Sequence, residues 1–327
     1  MADEKTKGAI ILLGQCLDAF IAQKQACGYK YLVEAESLRR FLRFAEEYGL
    51  SSCQLERSLV DAYGKPRLNE TAKNRANRIN DVRQFTKYLN INGVKAYVPA
   101  PAKKNASNFA PYIFTSDEIR RIIYAADSIK PHSRYNCADV YPVLFRMLYG
   151  CGLRVSEALD LRLSDINFSD GSITVRSGKN HKSRLVVMSP SLSGFCEGLK
   201  REIHAVSDES DYFFKNRDGS RRDKSTVYGQ FRELLWKSGI PYRGKGHGPR
   251  LHDVRHSFCC HSLKQMSDAG IDLYCALPVL SMYIGHSSIA ATEKYLRLTE
   301  QFFPDITARV AKACSMVYPE VYRIEAD

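Results

Sequence analysis

The sequence lacks three features that would each place it in a different class of protein. It has no run approaching the roughly 20 apolar residues that span a bilayer, which excludes a helical membrane protein. Its ten cysteines contain no CxxC pair, which excludes a zinc ribbon and indicates reduced, intracellular thiols. Four of its first seven residues are charged and the following apolar run is very short, unlike a secretory signal.

Internal repeats and low-complexity tracts are also absent, so the chain is expected to form ordinary globular domains. Its 327 residues suffice for two domains with separate cores. A net charge of +12 favours a polyanionic partner, with nucleic acid first and an anionic membrane second. Charge alone is equally consistent with a soluble protein that happens to be basic.

Prolines and polar residues without apolar periodicity interrupt the chain between positions 93 and 111. We therefore predict a helical domain over 1–95, a linker over 96–111 and a second domain over 112–327. In the first domain, apolar spacing predicts helices near 10–21, 38–45, 55–63 and 71–89.

The last of these helices belongs to a basic segment. Residues 65–87 carry a surplus of five positive charges, which could lie against a phosphate backbone or form a solvated helix face. The candidate DNA-binding residues here are Lys73, Arg75, Arg78, Arg83 and Lys87.

The second domain is predicted to be mainly helical with a small antiparallel β-sheet. Thr115 and Glu118 have the spacing of a capping box that opens a helix to about residue 128. β-Branched runs over 173–176 and 184–188 indicate a hairpin. Further helices are predicted near 138–149, 191–205, 224–238, 252–268, 274–284, 288–297 and 299–314.

Four short segments of this domain carry residues suited to chemistry. They are Gly-Leu-Arg-Val-Ser-Glu over 152–157, Gly-Lys-Asn-His-Lys-Ser-Arg-Leu-Val over 178–186, Leu-His-Asp-Val-Arg-His over 251–256, and Ile-Gly-His over 284–286 with Tyr295 nine positions later. Each segment alone has an ordinary structural explanation, such as a helix cap, a solvated turn lysine or a tyrosine at a core edge.

Together and in this order, the segments resemble the catalytic domain of the tyrosine recombinase (phage-integrase-like) family, over about residues 115–300. All six positions expected in the family are filled with the expected residue types: Arg154, Lys179, His252, Arg255, His286 and Tyr295. Glu157 also fits the acidic residue that the family places three after its first arginine. The resemblance implies a helical core-binding (SAM-like) domain followed by a mixed α/β catalytic domain.

The resemblance also implies an enzyme that cleaves and rejoins DNA strands through a 3′-phosphotyrosine. Arg154 and Arg255 would clamp the phosphate oxygens, because guanidinium groups stabilise the negative charge of a phosphorane-like state. The phenol of Tyr295 would attack phosphorus, and His252 would accept its proton. The ester conserves the energy of the broken bond, so no ATP is expected. No metal cofactor is expected either, because the guanidinium groups supply the cationic stabilisation.

Two further assignments follow from the same resemblance. His286 would hydrogen-bond the phosphate, and Lys179 would protonate the leaving 5′ oxygen. Lys182 lies in the same hairpin, but Lys179 occupies the position directly after glycine.

Three histidines, His252, His256 and His261, imitate the spacing of a metal-binding helix. The general base of an HExxH zinc site is missing, because position 253 is Asp. We therefore expect no metal, and interpret His256 and His261 as structural.

A second basic segment surrounds the third motif, since residues 215–256 carry a surplus of seven positive charges. Its candidate phosphate contacts are Arg221, Arg222, Lys224, Arg243 and Lys245. The Gly-rich loop over 242–248 lacks the spacing of a P-loop and is interpreted as a flexible connector.

The expected partner is double-stranded DNA, bound by a cytoplasmic homotetramer that integrates or excises a mobile element or resolves DNA. The amphipathic segment 302–318 could dock on a neighbouring subunit or pack within its own chain. Two alternatives remain open: a monomeric enzyme resembling type IB topoisomerases, and a DNA-binding protein that does not cut.

Overall fold

The structure is a computed structural model that describes residues 2–50, 52–101, 111–176, 183–242, 244, 248–286, 292–295 and 298, without the side chains of 2–6. The chain divides into two compact units, Met1–Phe109 and Ala110–Asp327. The division falls within the predicted linker 96–111. The first linker residues already belong to the first unit, because Ala96 forms a backbone bridge with Leu55 and is 7% exposed.

The first unit contains the four predicted helices. They are α1 (Ala2–Ala26), α2 (Leu32–Glu47), α3 (Arg57–Tyr63) and α4 (Ala72–Ile91). Apolar residues at helical spacing meet in one core, in which Phe20, Phe41 and Phe85 come from three different helices. Helix α1 begins well before the predicted position, because its first turns lack the apolar stripe that reveals a helix in the sequence.

The second unit places helices around a small sheet. The helices are α5 (Ser116–Asp127), α6 (Cys137–Gly150), α7 (Val155–Asp160), α8 (Pro190–Ile203), α9 (Lys224–Lys237), α10 (Leu251–Asp268) and α11 (Leu273–Ile284). The capping box of α5 is confirmed, with Thr115 Oγ1 accepting from the Glu118 amide at 3.1 Å and Glu118 accepting from the Thr115 amide at 2.8 Å.

The sheet has three antiparallel strands in the order β1 (Ile166–Asn167), β2 (Ser172–Val175) and β3 (Arg184–Val187). The predicted hairpin is confirmed as β2 and β3, with Ile173 opposite Val186. Strand β1 was not predicted, because two residues are too few to show a period-two pattern. The turn 177–182 lies outside the described residues.

Helix α10 packs against α6 and α11 in the second unit. Several of its polar residues are buried, so each needs a partner inside the protein. Ser257 illustrates the rule, since its hydroxyl accepts from the Phe114 amide at 2.8 Å and donates to the Asp253 carbonyl at 2.9 Å.

The end of the chain is described only in part. Residues 292–295 are helical, within the helix predicted near 288–297. The predicted helix 299–314 and the amphipathic segment 302–318 lie outside the described residues. Within the described ranges, no helix has the length and apolar character needed to cross a membrane.

Candidate active site

Arg154 stands at the start of α7 with a side chain 26% exposed. Its Nη1 donates to Glu157 Oε1 at 2.6 Å, and its backbone amide donates to Glu157 Oε2 at 2.9 Å. Its Nη2 lies 3.4 Å from the carbonyl oxygen of Gly285, at the end of α11. The i, i+3 spacing of Arg154 and Glu157 therefore fixes this guanidinium at the N-terminus of a helix, beside α11.

Arg255 is presented by α10 and is only 2% exposed. Its Nη1 donates to the Gly152 carbonyl at 2.6 Å, and its Nη2 donates to the Ile284 carbonyl. The guanidinium thus joins the turn before α7 to the end of α11. Because Arg154 contacts the residue after Ile284, the two predicted catalytic arginines converge.

Glu157 lies between the cations, 3.7 Å from Arg255 and hydrogen-bonded to both terminal nitrogens of Arg184 at 3.0 and 2.8 Å. Burial by itself would raise the pKa of Glu157. The hydrogen bonds and charge of Arg184, followed by those of Arg154, outweigh burial and lower that pKa to about 2. Glu157 therefore stays ionised and holds the arginines in place.

Arg184 was missed as a site residue. Its Nε also donates to the Tyr283 carbonyl at 2.8 Å, so β3, α7 and α11 meet at one side chain. The sequence did contain a signal, because this arginine lies within the Gly-Lys hairpin motif of residues 178–186. Its role depends on packing between elements that the sequence does not reveal.

Two glycines permit these close approaches. Gly152 has φ of 59°, and a Cβ there would overlap the ring of Phe258. Gly285 has φ of 66°, and a Cβ there would lie 3.0 Å from Nη1 of Arg184. Both positive φ values favour glycine, and at Gly152 a side chain would also lack space.

The two predicted catalytic histidines lie beside the arginines. Loss of hydration and then the charge of Arg255 lower the pKa of His252, although its side chain is exposed and water screens part of that effect. His286 follows α11, and its Nδ1 lies 2.9 Å from Thr292 Oγ1. Burial, followed by the charges of Arg255 and Arg154, lowers the pKa of His286 to about 4.

Tyr295, the predicted nucleophile, is 1% exposed, and its ring stacks near that of His286 with centroids 6.0 Å apart. Its hydroxyl lies 2.7 Å from Nδ1 of His256. Burial raises the pKa of the phenol well above its ordinary value. His256, interpreted from the sequence as structural, therefore contacts the predicted nucleophile.

Five of the six predicted catalytic residues are thus brought together: Arg154, His252, Arg255, His286 and Tyr295. The ring of His252 lies 4.8 Å from that of His256, which in turn contacts Tyr295. Lys179 and the neighbouring Lys182 fall outside the described residues.

The histidine spacing on α10 does not produce a metal site in the described part of the chain. His256 faces Tyr295, and Nδ1 of His261 lies 2.7 Å from the hydroxyl of Tyr149. No group of three His, Cys, Asp or Glu in the described ranges is arranged to hold a metal ion.

Two candidate DNA-binding residues need correction. Arg78 is 6% exposed and donates to Glu70 at 2.6 Å. Arg222 is 3% exposed and donates to Asn136. Both guanidiniums are buried and bound to acceptors of the protein itself, which argues against the expected phosphate contacts.

The other candidates divide into three groups. Lys73, Lys87 and Lys224 are exposed. Partly buried arginines bind the protein instead: Arg75 donates to Gly64 O at 2.8 Å, Arg83 to Pro99 O, and Arg221 to Asp160 at 2.6 Å. Arg243 and Lys245 lie outside the described residues.

Comparisons with known proteins agree with this geometry. Residues 113–301 match the Phage integrase family. The y4rB protein of Sinorhizobium fredii, classed as an integrase/recombinase, is 28% identical over 91% of this chain and 96% of its own. The tyrosine recombinase XerC of Chromobacterium violaceum is 26% identical over 83% of this chain and 84% of its own.

Among solved structures, the XerH site-specific recombinase bound to its difH substrate in a post-cleavage complex has a TM-score of 0.66. It is 16% identical and covers 95% of this chain and 96% of its own, so the likeness is one of fold. The family match, which spans more than half of the sequence, carries the assignment. The chain therefore belongs to the phage integrase family of tyrosine recombinases.

Proposed function

We propose that this site-specific DNA recombinase cleaves DNA by attack of Tyr295 Oη on a phosphodiester phosphorus. The Oη–P bond forms as the bond to the 5′ oxygen breaks, which leaves a 3′-phosphotyrosine and a 5′ hydroxyl. The observation that carries the proposal is the convergence of Arg154 and Arg255 beside Tyr295. A 5′ hydroxyl from a second duplex then attacks the phosphotyrosine and rejoins the strand.

The two guanidiniums supply the electrostatic part of catalysis. Arg255 has five N–H donors, of which two are directed at the carbonyls of Gly152 and Ile284. Those two bonds fix its plane before DNA arrives, so little reorganisation is needed when negative charge develops at phosphorus. Arg154 has the larger exposed fraction and is the better placed of the two to meet the incoming phosphate.

Proton transfer completes the proposed reaction. His252 is exposed at the site, and a bound phosphate would raise its pKa by adding negative charge next to it. We assign His252 as acceptor of the phenol proton and His286 as donor to a phosphate oxygen. We assign Lys179 as the acid that protonates the leaving 5′ oxygen.

The proposed reaction requires neither ATP nor a metal ion. The phosphotyrosine ester conserves the energy of the broken phosphodiester, so rejoining needs no external source. The guanidiniums stabilise the charge for which other phosphoryl-transfer enzymes use metal cations.

We further propose that Lys73, Lys87 and Lys224 contact the DNA backbone, with Arg243 and Lys245 as further candidates.

Exchange of strands between two sites calls for four protomers, so we propose a homotetramer on DNA, with segment 302–318 as a candidate contact between subunits. The resemblance to integrases supports a role in the integration or excision of a mobile element. We propose that the protein acts in the cytoplasm.

A nicked suicide substrate tests the proposed function. After cleavage, the short strand that carries the 5′ hydroxyl diffuses away, so the covalent protein–DNA adduct accumulates and is counted on a denaturing gel. We expect an adduct with the wild-type protein and none with Tyr295→Phe. An adduct that persists in Tyr295→Phe would refute the assigned nucleophile, and relaxation of plasmid DNA without strand exchange would favour a topoisomerase.

A further inference from the structure

The hydroxyl of Tyr295 has a partner that the proposed chemistry does not use. Nδ1 of His256 lies 2.7 Å from Tyr295 Oη, and the two residues are 5% and 1% exposed. They lie 39 positions apart in the sequence, on α10 and on the helical residues 292–295. The contact therefore joins α10 to the short segment that carries the proposed nucleophile.

The direction of this hydrogen bond follows from the charge state of both groups. Burial, followed by the charges of neighbouring groups that include Lys294, lowers the pKa of His256 to about 2. Burial raises the pKa of Tyr295, so both side chains are neutral and the phenol keeps its proton. An imidazole nitrogen accepts more strongly than a phenol oxygen, so Tyr295 donates to Nδ1 and His256 carries its own proton on Nε2.

In this arrangement, His256 accepts a hydrogen bond from the phenol but does not remove its proton. A base this weak cannot remove a proton from a phenol near neutral pH. His256 follows Arg255 directly on α10, so the two side chains leave the helix about 100° apart. Arg255 reaches the carbonyls of Gly152 and Ile284, while His256 reaches Tyr295. One helical turn thus holds both an arginine of the site and the nucleophile.

We propose that His256 is a positioning residue, whose Nδ1 accepts a hydrogen bond from Tyr295 and holds the nucleophile beside the arginines before DNA binds. This inference rests on the proposed role of Tyr295 as nucleophile. The hydrogen bond restricts the positions that the phenol can take before DNA binds. This restriction matters because a misplacement of about 1 Å can slow a reaction about 100-fold.

Three variants test the inference with matched chemistry. His256→Asn keeps an acceptor oxygen at the same number of bonds from Cβ as Nδ1, while His256→Leu fills a similar volume without an acceptor. His261→Leu is the control, because His261 lies on the same helix and meets the hydroxyl of Tyr149 at the same 2.7 Å. The measurement is the single-turnover rate of adduct formation on the nicked substrate, together with DNA affinity.

We expect His256→Leu to form the adduct about 10- to 100-fold more slowly than wild type, with unchanged DNA affinity. His256→Asn should recover most of the rate, and His261→Leu should cleave at the wild-type rate even if it melts earlier. The inference is overturned if His256→Leu cleaves at the wild-type rate or faster. It is equally overturned if His256→Asn is as slow as His256→Leu, since packing alone would then explain the loss.

A measurement without DNA separates this inference from the proposed function. If the hydrogen bond exists, the Tm losses of His256→Leu and Tyr295→Phe add up to more than the loss of the double variant. Fully additive losses would overturn the inference. Failure of the wild-type protein itself to form an adduct, despite non-additive Tm losses, would overturn the proposed function and leave the contact intact.

Discussion

At the scale of single residues, Glu157 organises the cationic part of the site. Glu157 is 8% exposed, and its carboxylate meets Arg154 and Arg184 at 2.6 and 2.8 Å. We expect Glu157→Gln to lower the free energy of unfolding by about 3–5 kcal/mol, because removing one member of a buried ion pair leaves the other charge uncompensated. Urea unfolding measures this loss.

An exposed ion pair provides the control for Glu157. Asp117 pairs with Arg121 at 3.0 Å, and the two side chains are 64% and 45% exposed. Asp117→Asn should change the free energy of unfolding by less than about 1 kcal/mol. Equal losses in the two variants would mean that burial of Glu157 does not strengthen its ion pairs.

His256 makes the stability of the protein depend on pH. Its pKa is lowered to about 2 in the folded protein, while in the unfolded chain it is near the ordinary value of about 6.5. Between these values the unfolded state binds more protons, so the contribution is full above about pH 6.5 and decreases as the pH falls. We expect the free energy of unfolding to depend less steeply on pH in His256→Asn than in wild type between pH 5 and 6.5. The difference should be at most about 1.4 kcal/mol per pH unit, and identical slopes would contradict the assigned neutral state.

At the scale of secondary-structure elements, the turn from α6 to α7 depends on Gly152. Alanine there would have φ of 59° and a Cβ in the ring of Phe258. We expect Gly152→Ala to lower the free energy of unfolding by about 2–4 kcal/mol, from backbone strain and overpacking. Gly229 in α9 is the matched control, since nothing lies within 4 Å of its would-be Cβ, and Gly229→Ala should stabilise by about 0.5–1 kcal/mol. Thermal unfolding followed by circular dichroism would contradict this account if both variants shifted Tm in the same direction.

The elements also show what the sequence could predict. Apolar periodicity located most of the helices of both units, and β-branched runs located β2 and β3, because burial of one face leaves a regular pattern. Helix α7 was not predicted, because its six residues are too few to show a helical period. Strand β1 and the first turns of α1 have no such pattern. Arg78 and Arg222 appeared to be surface cations, because a sequence does not show which basic side chains find buried acceptors.

The site was predicted to a similar extent and for a related reason. The resemblance to tyrosine recombinases pointed to Arg154, Arg255 and Tyr295, which the structure places close together. The contacts of Arg184 with Glu157 and of His256 with Tyr295 depend on how separate elements pack, across 27 and 39 positions of sequence. Local spacing carries no information about contacts of that kind.

At the scale of the whole molecule, a net charge of +12 predicts DNA binding that weakens strongly with salt. If Lys87 neutralises one phosphate, Lys87→Ala should reduce the slope of log K against log salt concentration by about 0.9. Lys237 pairs with Glu233 at 2.7 Å and is not a candidate contact, so Lys237→Ala should leave the slope unchanged. Fluorescence anisotropy over a salt series measures both, and equal slopes for wild type and Lys87→Ala would remove Lys87 from the interface.

The whole account depends on a phenol ester formed at one tyrosine. The most direct test is mass spectrometry of the adduct after exhaustive digestion with nuclease and protease. We expect the mass of a 3′-linked nucleotide on the peptide that contains Tyr295. Nucleotide mass on any other peptide, or cleaved DNA with an unmodified Tyr295 peptide, would contradict the account.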